Sequence, residues 1–178
     1  MRSKYATAAL GVLLASSALP LASYSQVYLT EDQALQAIFP DEAFVRKVIA
    51  LTPDEVRRIA DRSGERVRLT SVVVWVSPNQ NVVFMDEAVG KHEFIPYAVG
   101  ITREQTVKSI EIMEYRESFG YQIRERAWRR QFAGKDGSAP LKLTKDIVNI
   151  SGATLSCAHI TGGVRRILQT YEAIRERL

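Results

Sequence analysis

The residue types best suited to chemistry lie in one short segment, residues 149–164, which reads N-I-S-G-A-T-L-S-C-A-H-I-T-G-G-V. Its hydroxyl groups are separated by residues with little or no side chain, and it leads into a helical pattern. Glycine lets the backbone approach an anion closely, and the unpaired N–H groups at a helix start favour negative charge. The pattern is therefore compatible with a phosphate site, but from the short string alone an ordinary turn with a helix cap, built from the same residue types, is the favoured interpretation. The candidate site residues are Ser151, Gly152, Ala153, Thr154 and Ser156.

Two helices in the first part of the chain are indicated by their start signals. Thr30 followed by Gln33 has the capping-box spacing, and Thr52 precedes a proline and two acidic residues that suit the positive end of a helix. The second helix should stop at Gly64. Between them, residues 41–51 carry apolar side chains at helix-like intervals, which favours a helix but leaves an extended segment open.

The middle of the chain has the pattern of β-strands. A β-branched run at 72–76, a polar turn and a second run from Val82 predict a hairpin, and further extended pieces follow at 94–101 and 107–115. The links are too short for crossover helices, so we expect an antiparallel meander. A helix with an apolar stripe follows the S-G-A-T motif. The fold class is therefore α+β, an antiparallel sheet with N-terminal helices and a C-terminal helix.

The composition is that of a folded domain and narrows the function classes. The chain has 178 residues, 46% hydrophobic and 25% charged, which excludes a disordered chain or a disulfide-rich miniprotein. Its formal net charge of +4 is spread along the chain and does not indicate a nucleic-acid partner. Two histidines and the single cysteine, Cys157, argue against a structural zinc or haem site. We expect Cys157 to be a small buried helix residue.

The N-terminal segment has the layout of a secretory signal peptide. Two basic residues lie within the first four positions, an uncharged stretch is most apolar from 6 to about 15, and small residues continue to Ser25. We expect cleavage before Gln26, with cleavage after Ala22 as the alternative. Residues 1–25 would then be the signal peptide and residues 26–178 one exported, soluble domain. A membrane anchor is less favoured, because serine and proline interrupt the apolar stretch.

Three other features each have two interpretations. The Gly162-Gly163 pair either allows a strand or ligand to approach the helix closely or delays the start of the helix. The four arginines between positions 124 and 130 form either a solvated helix face or a docking surface for an acidic partner. His159 is expected at the surface or at a helix cap, with phosphate contact or proton transfer as the alternative.

The longer string S-G-A-T-L-S, followed by a helix with Gly-Val, resembles the FMN-binding domain family. Its members include the periplasmic flavin subunits of the sodium-pumping NADH:quinone reductase and of the Rnf complex. Residues 117–121 (E-S-F-G-Y) look like the family's E-T-P-G segment, and residues 128–135 (W-R-R-Q-F-A-G-K) fit its later pattern. Two positions differ from that pattern. Val148 stands where an acidic residue is usual, and Phe119 stands where proline is usual.

The resemblance implies a covalently attached flavin. Thr154 would carry FMN through a phosphoester bond, installed by a dedicated flavin transferase that uses FAD and magnesium. Ser151 and Ser156 would then donate hydrogen bonds to the phosphate. Three aromatic residues are candidates to pack on the ring, with ordinary core packing as the alternative for each: Phe119, Tyr121 and Trp128. The cofactor-binding residues expected besides Thr154 are Ser151, Gly152, Ala153, Ser156, Tyr121 and Glu117.

The expected function is that of an exported electron carrier rather than a stand-alone enzyme. It would receive electrons from a membrane or periplasmic donor and pass them to an acceptor, with the redox chemistry residing in FMN. One alternative is a flavin-containing redox sensor or regulatory module. A second is a flavin-free periplasmic binding module, which the departure at Val148 favours.

Overall fold

The computed structural model describes residues 26–178, so the predicted signal peptide at 1–25 lies outside the described residues. Short 3-10 turns lie on both sides of α3 and after α4. Within the described range, no helix is both long enough and apolar enough to cross a bilayer. The strands and helices, in chain order, are β1 (Gln26–Val27), α1 (Glu31–Ile38), β2 (Val45–Ala50), α2 (Pro53–Ser63), β3 (Ser71–Val76), β4 (Val82–Val89), β5 (Phe94–Ile101), β6 (Val107–Ile112), β7 (Glu114–Tyr115), α3 (Arg126–Arg129) and α4 (Thr154–Ile174).

The main sheet is an antiparallel meander. Its strand order is β2-β3-β4-β5-β6, so every strand pairs with its neighbours in sequence. The predicted extended piece at 107–115 is divided in two, because the carbonyl of Met113 leaves the main sheet and accepts hydrogen bonds from the backbone of Tyr28 and Leu29. β7 pairs instead with β1 in a small two-stranded ribbon. The α+β class and the meander are both confirmed.

The helix favoured for residues 41–51 is wrong, and the extended alternative is correct. This segment contains β2, which is an edge strand paired only with β3. Two of the apolar residues that suggested a buried helix face are in solvent, Val45 at 62% and Val48 at 57% exposed, whereas Phe44 and Ile49 pack on opposite faces of the sheet. Pairing with β3 and the β-branched side chains therefore decide the conformation, and the helical spacing has no packing role.

Both predicted N-terminal helices have their expected caps. The Thr30 hydroxyl accepts from the backbone of Gln33, and Thr52 and Glu55 form the same reciprocal box at the start of α2. α2 ends at Gly64, which has φ +67°. Replacing a capping threonine costs about 1 kcal/mol, so these local signals fix where the two helices begin.

The sheet is covered on both faces, with the larger core beneath α2 and α4. Alternation along the strands sends Phe84 and Val99 to that core, whereas Val83 and Ala98 point to the smaller core under α1. The α3 region joins the larger core through residues such as Trp128. This region lies against β6, the edge strand opposite β2, and exchanges backbone hydrogen bonds with Val107 of that strand.

The glycine pair lies inside α4, so the explanation by a delayed helix start is wrong. α4 begins at Thr154 and continues through both glycines. A Cβ atom on Gly163 would lie 2.0 Å from the hydroxyl oxygen of Tyr97 on β5. Close approach of a strand thus accounts for this glycine, despite a cost of about 1 kcal/mol relative to alanine.

Candidate functional site

The S-G-A-T motif forms a turn whose last residue opens α4. Ala153 is the N-cap residue and provides no side-chain hydrogen bond to the first turn of the helix. Gly152 has φ +82°, and the space where its Cβ would lie is empty. The Thr154 side chain is exposed at this helix start. An anion placed here would meet the positive end of a 21-residue helix together with an accessible hydroxyl.

A cleft of about 300 Å³ opens beside this turn. Its walls come from three segments: the motif and first turn of α4 (152–156), residues 117–119, and the Lys91-His92 pair of the β4–β5 loop. The volume is at the lower end of the usual range for ligand pockets, about 300–1,000 Å³. The fold thus brings the two sequence motifs together and adds a wall that sequence reasoning missed.

Gly120 fixes the spacing between the 117–121 segment and the motif turn. It has φ +85°, and a Cβ there would lie 2.1 Å from the Cβ of Ala153. The Tyr115 hydroxyl donates to the carbonyl of Phe119 and holds the same segment in place. The close contact therefore requires glycine at position 120, and it lets the E-S-F-G segment pack directly on the S-G-A-T turn.

Glu117 anchors the third wall of the cleft. Its Oε1 atom accepts hydrogen bonds from the backbone N–H groups of His92, at 2.7 Å, and Glu93, at 3.1 Å. A Cβ on Gly90 would lie 2.2 Å from the same oxygen. Burial of the carboxylate favours its neutral form, but the hydrogen bonds from the backbone of His92, Glu93 and Lys91 outweigh burial and lower the pKa of Glu117. Glu117 is therefore ionised at neutral pH and orients Lys91 and His92 at the cleft.

Asn149 is a further residue of the site that sequence reasoning missed. Its Nδ2 group donates a hydrogen bond to Thr154 Oγ1 at 3.0 Å. Its Oδ1 atom is buried and has no hydrogen-bond partner. A five-residue separation across a turn has no periodic signature, so the sequence alone gives no signal for this contact.

The two serines of the motif occupy different surroundings. Ser151 is exposed in the turn and is not among the residues that line the cleft. Ser156 lines the cleft but is only 3% exposed, and its hydroxyl hydrogen-bonds to Tyr115. Their expected hydrogen bonds to a phosphate remain predictions.

The three candidate aromatic residues are not brought to one place. Phe119 lines the cleft and is 76% exposed, whereas Tyr121 is 60% exposed and outside the cleft lining. Trp128 is buried and packs on Phe132 with ring centroids 5.2 Å apart. Trp128 thus takes the core-packing role, and Phe119 is the aromatic side chain available to a ligand in the cleft.

Val148 is held rigidly while its side chain points into solvent. It is 65% exposed. Its backbone N–H donates to Gln131 Oε1, and its carbonyl accepts from Trp128 Nε1, both at 2.8 Å. The carboxylate of Asp146, two positions earlier, is occupied elsewhere, because it pairs with Lys135 and accepts from the backbone of the 141–142 loop.

The four arginines near α3 do not form one solvated helix face. Arg129 pairs with Glu111 and donates to the carbonyl of Ile110 at 2.7 Å. The guanidinium of Arg124 lies 3.4 Å from the ring centroid of Tyr28. Two of the four thus have contacts within the chain, which leaves Arg126 and Arg130 exposed. A role in docking a partner remains a prediction.

The remaining α4 residues singled out from the sequence lie as follows. Cys157 is buried, as expected, and burial raises the pKa of its thiol. His159 is at the surface, where its Nδ1 atom hydrogen-bonds the carbonyl of Val89 at the end of β4. This contact ties α4 to the strand that leads into the Lys91-His92 loop.

The residues around the cleft fit a phosphate-linked flavin. The helix start lacks a side-chain cap, and the space over Gly152 is open to an incoming group. The exposed Thr154 hydroxyl lies at the cleft, where the Asn149 side-chain amide contacts it. Phe119 offers an aromatic surface at the rim. These features combine an exposed hydroxyl, a helix start that favours an anion and an exposed aromatic surface.

Comparison with known families gives a match to part of the chain. The model of the FMN-binding domain family matches residues 90–169. This range contains all three walls of the cleft and most of α4. No curated protein shows significant similarity to the chain. The match identifies residues 90–169 as a segment of the FMN-binding domain family, which supports a flavin-binding module in this part of the chain.

Proposed function

We propose that this protein is an exported electron carrier whose FMN is attached to Thr154 through a phosphoester bond. The observation that carries the proposal is the position of the Thr154 hydroxyl. It is exposed at the uncapped start of α4, on the wall of a cleft that lies within the family-matched segment. Ala153 occupies the N-cap position, so helix capping does not account for the Thr154 hydroxyl. The proposal gives this hydroxyl a role.

The electrostatics of the helix start support a phosphodiester at this position. A phosphodiester keeps one negative charge, and the first turn of α4 offers backbone N–H groups that have no side-chain cap. Gly152 leaves room for phosphate oxygens beside the backbone. Lys91 and His92 face the same cleft and add donors across from Thr154.

The bound FMN would supply the redox chemistry, and this chain would hold and orient it. Phe119 is placed to pack against an aromatic ring at the cleft. Glu117 holds the opposite wall through the backbone of the 90–93 loop. A shallow cleft with an exposed aromatic rim suits an electron carrier, because a partner can come close to the flavin without entering a deep pocket.

Covalent attachment is consistent with export. A weakly held flavin would be lost by dilution outside the cytoplasm, whereas a covalent bond removes the dissociation equilibrium. The signal-like N-terminal segment predicts that route. The expected partners are a flavin transferase during maturation and a membrane or periplasmic electron donor and acceptor afterwards.

Attachment would transfer the FMN part of FAD to the Thr154 hydroxyl in one step. The bond between Thr154 Oγ1 and the flavin-side phosphorus forms while the pyrophosphate P–O bond of FAD breaks. AMP leaves with the electron pair of that bond, and the hydroxyl proton passes to a base or to water. Thr154 is neither oxidised nor reduced in this step.

The proposal is tested by flavin fluorescence in a denaturing gel. The full chain is expressed in a host that exports it and contains a flavin transferase, with Thr154→Ala, Thr154→Val and Thr154→Ser beside the wild type. We expect fluorescence that survives denaturation in the wild type and none in the Ala and Val variants. Thr154→Ser keeps a hydroxyl and should retain some signal. A wild-type chain without covalent flavin, despite an active transferase, would contradict the attachment. Titration of the native protein with FMN would then distinguish reversible flavin binding from the flavin-free binding module.

A further inference from the structure

The side-chain amide of Asn149 is devoted to the acceptor hydroxyl rather than to the helix backbone. Its Nδ2 group lies 3.0 Å from Thr154 Oγ1. Asparagine near a helix start usually caps a backbone N–H with its carbonyl oxygen. Here Ala153 occupies the N-cap position and no side chain caps the first turn. The first turn of the helix therefore has no side-chain cap. The nearby Asn149 side chain contacts the Thr154 hydroxyl instead.

The carbonyl half of the same amide lacks a partner. In the part of the chain that the structure describes, the buried side-chain oxygens without a hydrogen bond are Glu42 Oε2, Gln122 Oε1 and Asn149 Oδ1. A buried acceptor left unpaired costs free energy, and such groups in native proteins call for an explanation. Rotation of the amide by half a turn would place Oδ1 where it can accept from the free Thr154 hydroxyl, because the amide already contacts that side chain.

We propose that Asn149 is a positioning residue that serves Thr154 both before and after flavin attachment. The inference rests on the proposed function. The free Thr154 hydroxyl is both a donor and an acceptor, so either half of the amide can bind it, and a carbonyl acceptor directs the oxygen lone pairs away from Asn149. Once the phosphoester has formed, Oγ1 has no hydrogen and can only accept, which the Nδ2 group satisfies. An amide meets both states, and it does so by rotating about its last side-chain bond.

The test compares attachment kinetics of Asn149 variants in the full chain. Flavin-free protein is incubated with purified flavin transferase, FAD and magnesium, and kcat and KM for the protein substrate are measured. Asn149→Leu keeps the side-chain size but removes both hydrogen-bonding groups. We expect kcat to fall about tenfold, as for the loss of one orienting hydrogen bond, with KM unchanged. Asn79→Leu, in the exposed β3–β4 turn, is the matched control and should react like wild type.

Asn149→Asp separates positioning from simple structural support. Its carboxylate accepts from the free hydroxyl, so we expect attachment at close to the wild-type rate. After attachment it has no N–H to donate and lies beside a phosphodiester of the same charge. The melting temperature of this variant should therefore fall on loading, whereas that of wild type should not. Equal melting behaviour of the two loaded proteins would overturn the proposal.

A measurement on flavin-free protein keeps the inference testable if the Leu variant does not fold. The 15N and 1H shifts of the Asn149 side-chain amide should change in Thr154→Val, which removes the hydroxyl but keeps the side-chain shape. Unchanged shifts would contradict the contact. If wild type accepts flavin and Asn149→Leu accepts it with the same kcat, only the positioning role fails. If wild type accepts no flavin, the proposed function fails and this inference fails with it.

Discussion

The hydroxyl groups of Ser151, Thr154 and Ser156 have similar chemistry but different surroundings. Ser156 is buried against Tyr115, and Ser151 lies in the turn outside the cleft lining. Thr154 is exposed, opens α4 and is bonded by Asn149. The proposed selectivity for Thr154 thus follows from access and orientation. The S-G-A-T string could be recognised from the sequence as a candidate phosphate site, but the access of each hydroxyl depends on the fold.

Glu117 provides a prediction at the scale of one carboxylate. Glu117→Ala removes the acceptor for the backbone N–H groups of His92 and Glu93. We expect their amide hydrogen exchange to accelerate by about tenfold each, because the loss of a hydrogen bond to a charged group loosens the 90–93 loop. Amide exchange followed by NMR checks this.

Glu117→Gln is the matched control for that experiment. It keeps an oxygen that accepts from both N–H groups, so protection should lie between that of wild type and Glu117→Ala. Exchange at Gln105, in the β5–β6 turn, should not change in either variant. If the amides of His92 and Glu93 keep their protection from exchange in Glu117→Ala, the 90–93 loop does not depend on the carboxylate and the prediction is wrong.

Among the elements, α4 carries the site at its first turn and packs on the sheet along the rest of its length. Its apolar stripe was predictable because helical spacing persists from Ile160 to Ile174. The reason for the glycine pair was not, since the contact with Tyr97 joins residues 66 positions apart in the sequence. The helix favoured for residues 41–51 was wrong for a related reason. This edge strand leaves some apolar side chains in solvent, so its sequence lacks the alternation of apolar and polar residues that indicates a strand.

The glycine contact leads to a prediction on stability. Gly163→Ala should destabilise the protein by about 1–3 kcal/mol, because the new Cβ meets the buried Tyr97 ring and its hydroxyl. Gly162→Ala meets only the flexible end of Glu65, so it should cost clearly less. Urea unfolding of both variants measures the difference.

A double variant shows whether the Tyr97 hydroxyl is the cause. Tyr97→Phe removes the oxygen that would lie 2.0 Å from the added Cβ. The cost of Gly163→Ala should therefore be smaller in the Tyr97→Phe background than in wild type. An equal cost in both backgrounds would assign the effect to some other contact of α4.

At the scale of the whole molecule, the sheet arranges segments that are distant in sequence around one cleft. The meander was predictable because turn residues separate β-branched runs. The Lys91-His92 wall was not, because it depends on the β4–β5 loop meeting Glu117, about 25 positions later. The resemblance singled out two segments that the fold brings to one cleft, and the fold adds Lys91 and His92 as a third wall.

Two carboxylates that accept several hydrogen bonds, Asp146 and Glu117, lead to a prediction of how the free energy of unfolding depends on pH. Burial of Asp146 favours its neutral form, but hydrogen bonds from the 141–142 backbone and from Lys135 outweigh burial and lower its pKa. The pKa of Glu117 is lowered too, against the effect of burial, by hydrogen bonds from the 91–93 backbone. Groups with lowered folded pKa values stabilise the protein above their unfolded pKa, and this contribution is lost as pH falls through the folded pKa. The free energy of unfolding should therefore decline below about pH 5.

Urea unfolding across that pH range checks the prediction. Asp146→Asn should lose about 1–3 kcal/mol at pH 7, and its stability should fall less than that of wild type on acidification. Asp61→Asn, on the exposed side of α2, is the control and should follow the wild-type curve. If Asp146→Asn and wild type lose equal stability between pH 7 and acid, Asp146 does not contribute to the decline.

Mass spectrometry of the exported, transferase-matured chain tests the attachment of FMN to Thr154 directly. Intact mass should show a gain of one FMN less one water. Trypsin cuts after Lys145 and Arg165, so the modification should lie on the peptide 146–165 and, on fragmentation, on Thr154. Thr154→Ala should give the unmodified mass. An unmodified wild-type chain, or a flavin located on any other residue of that peptide, would contradict the account.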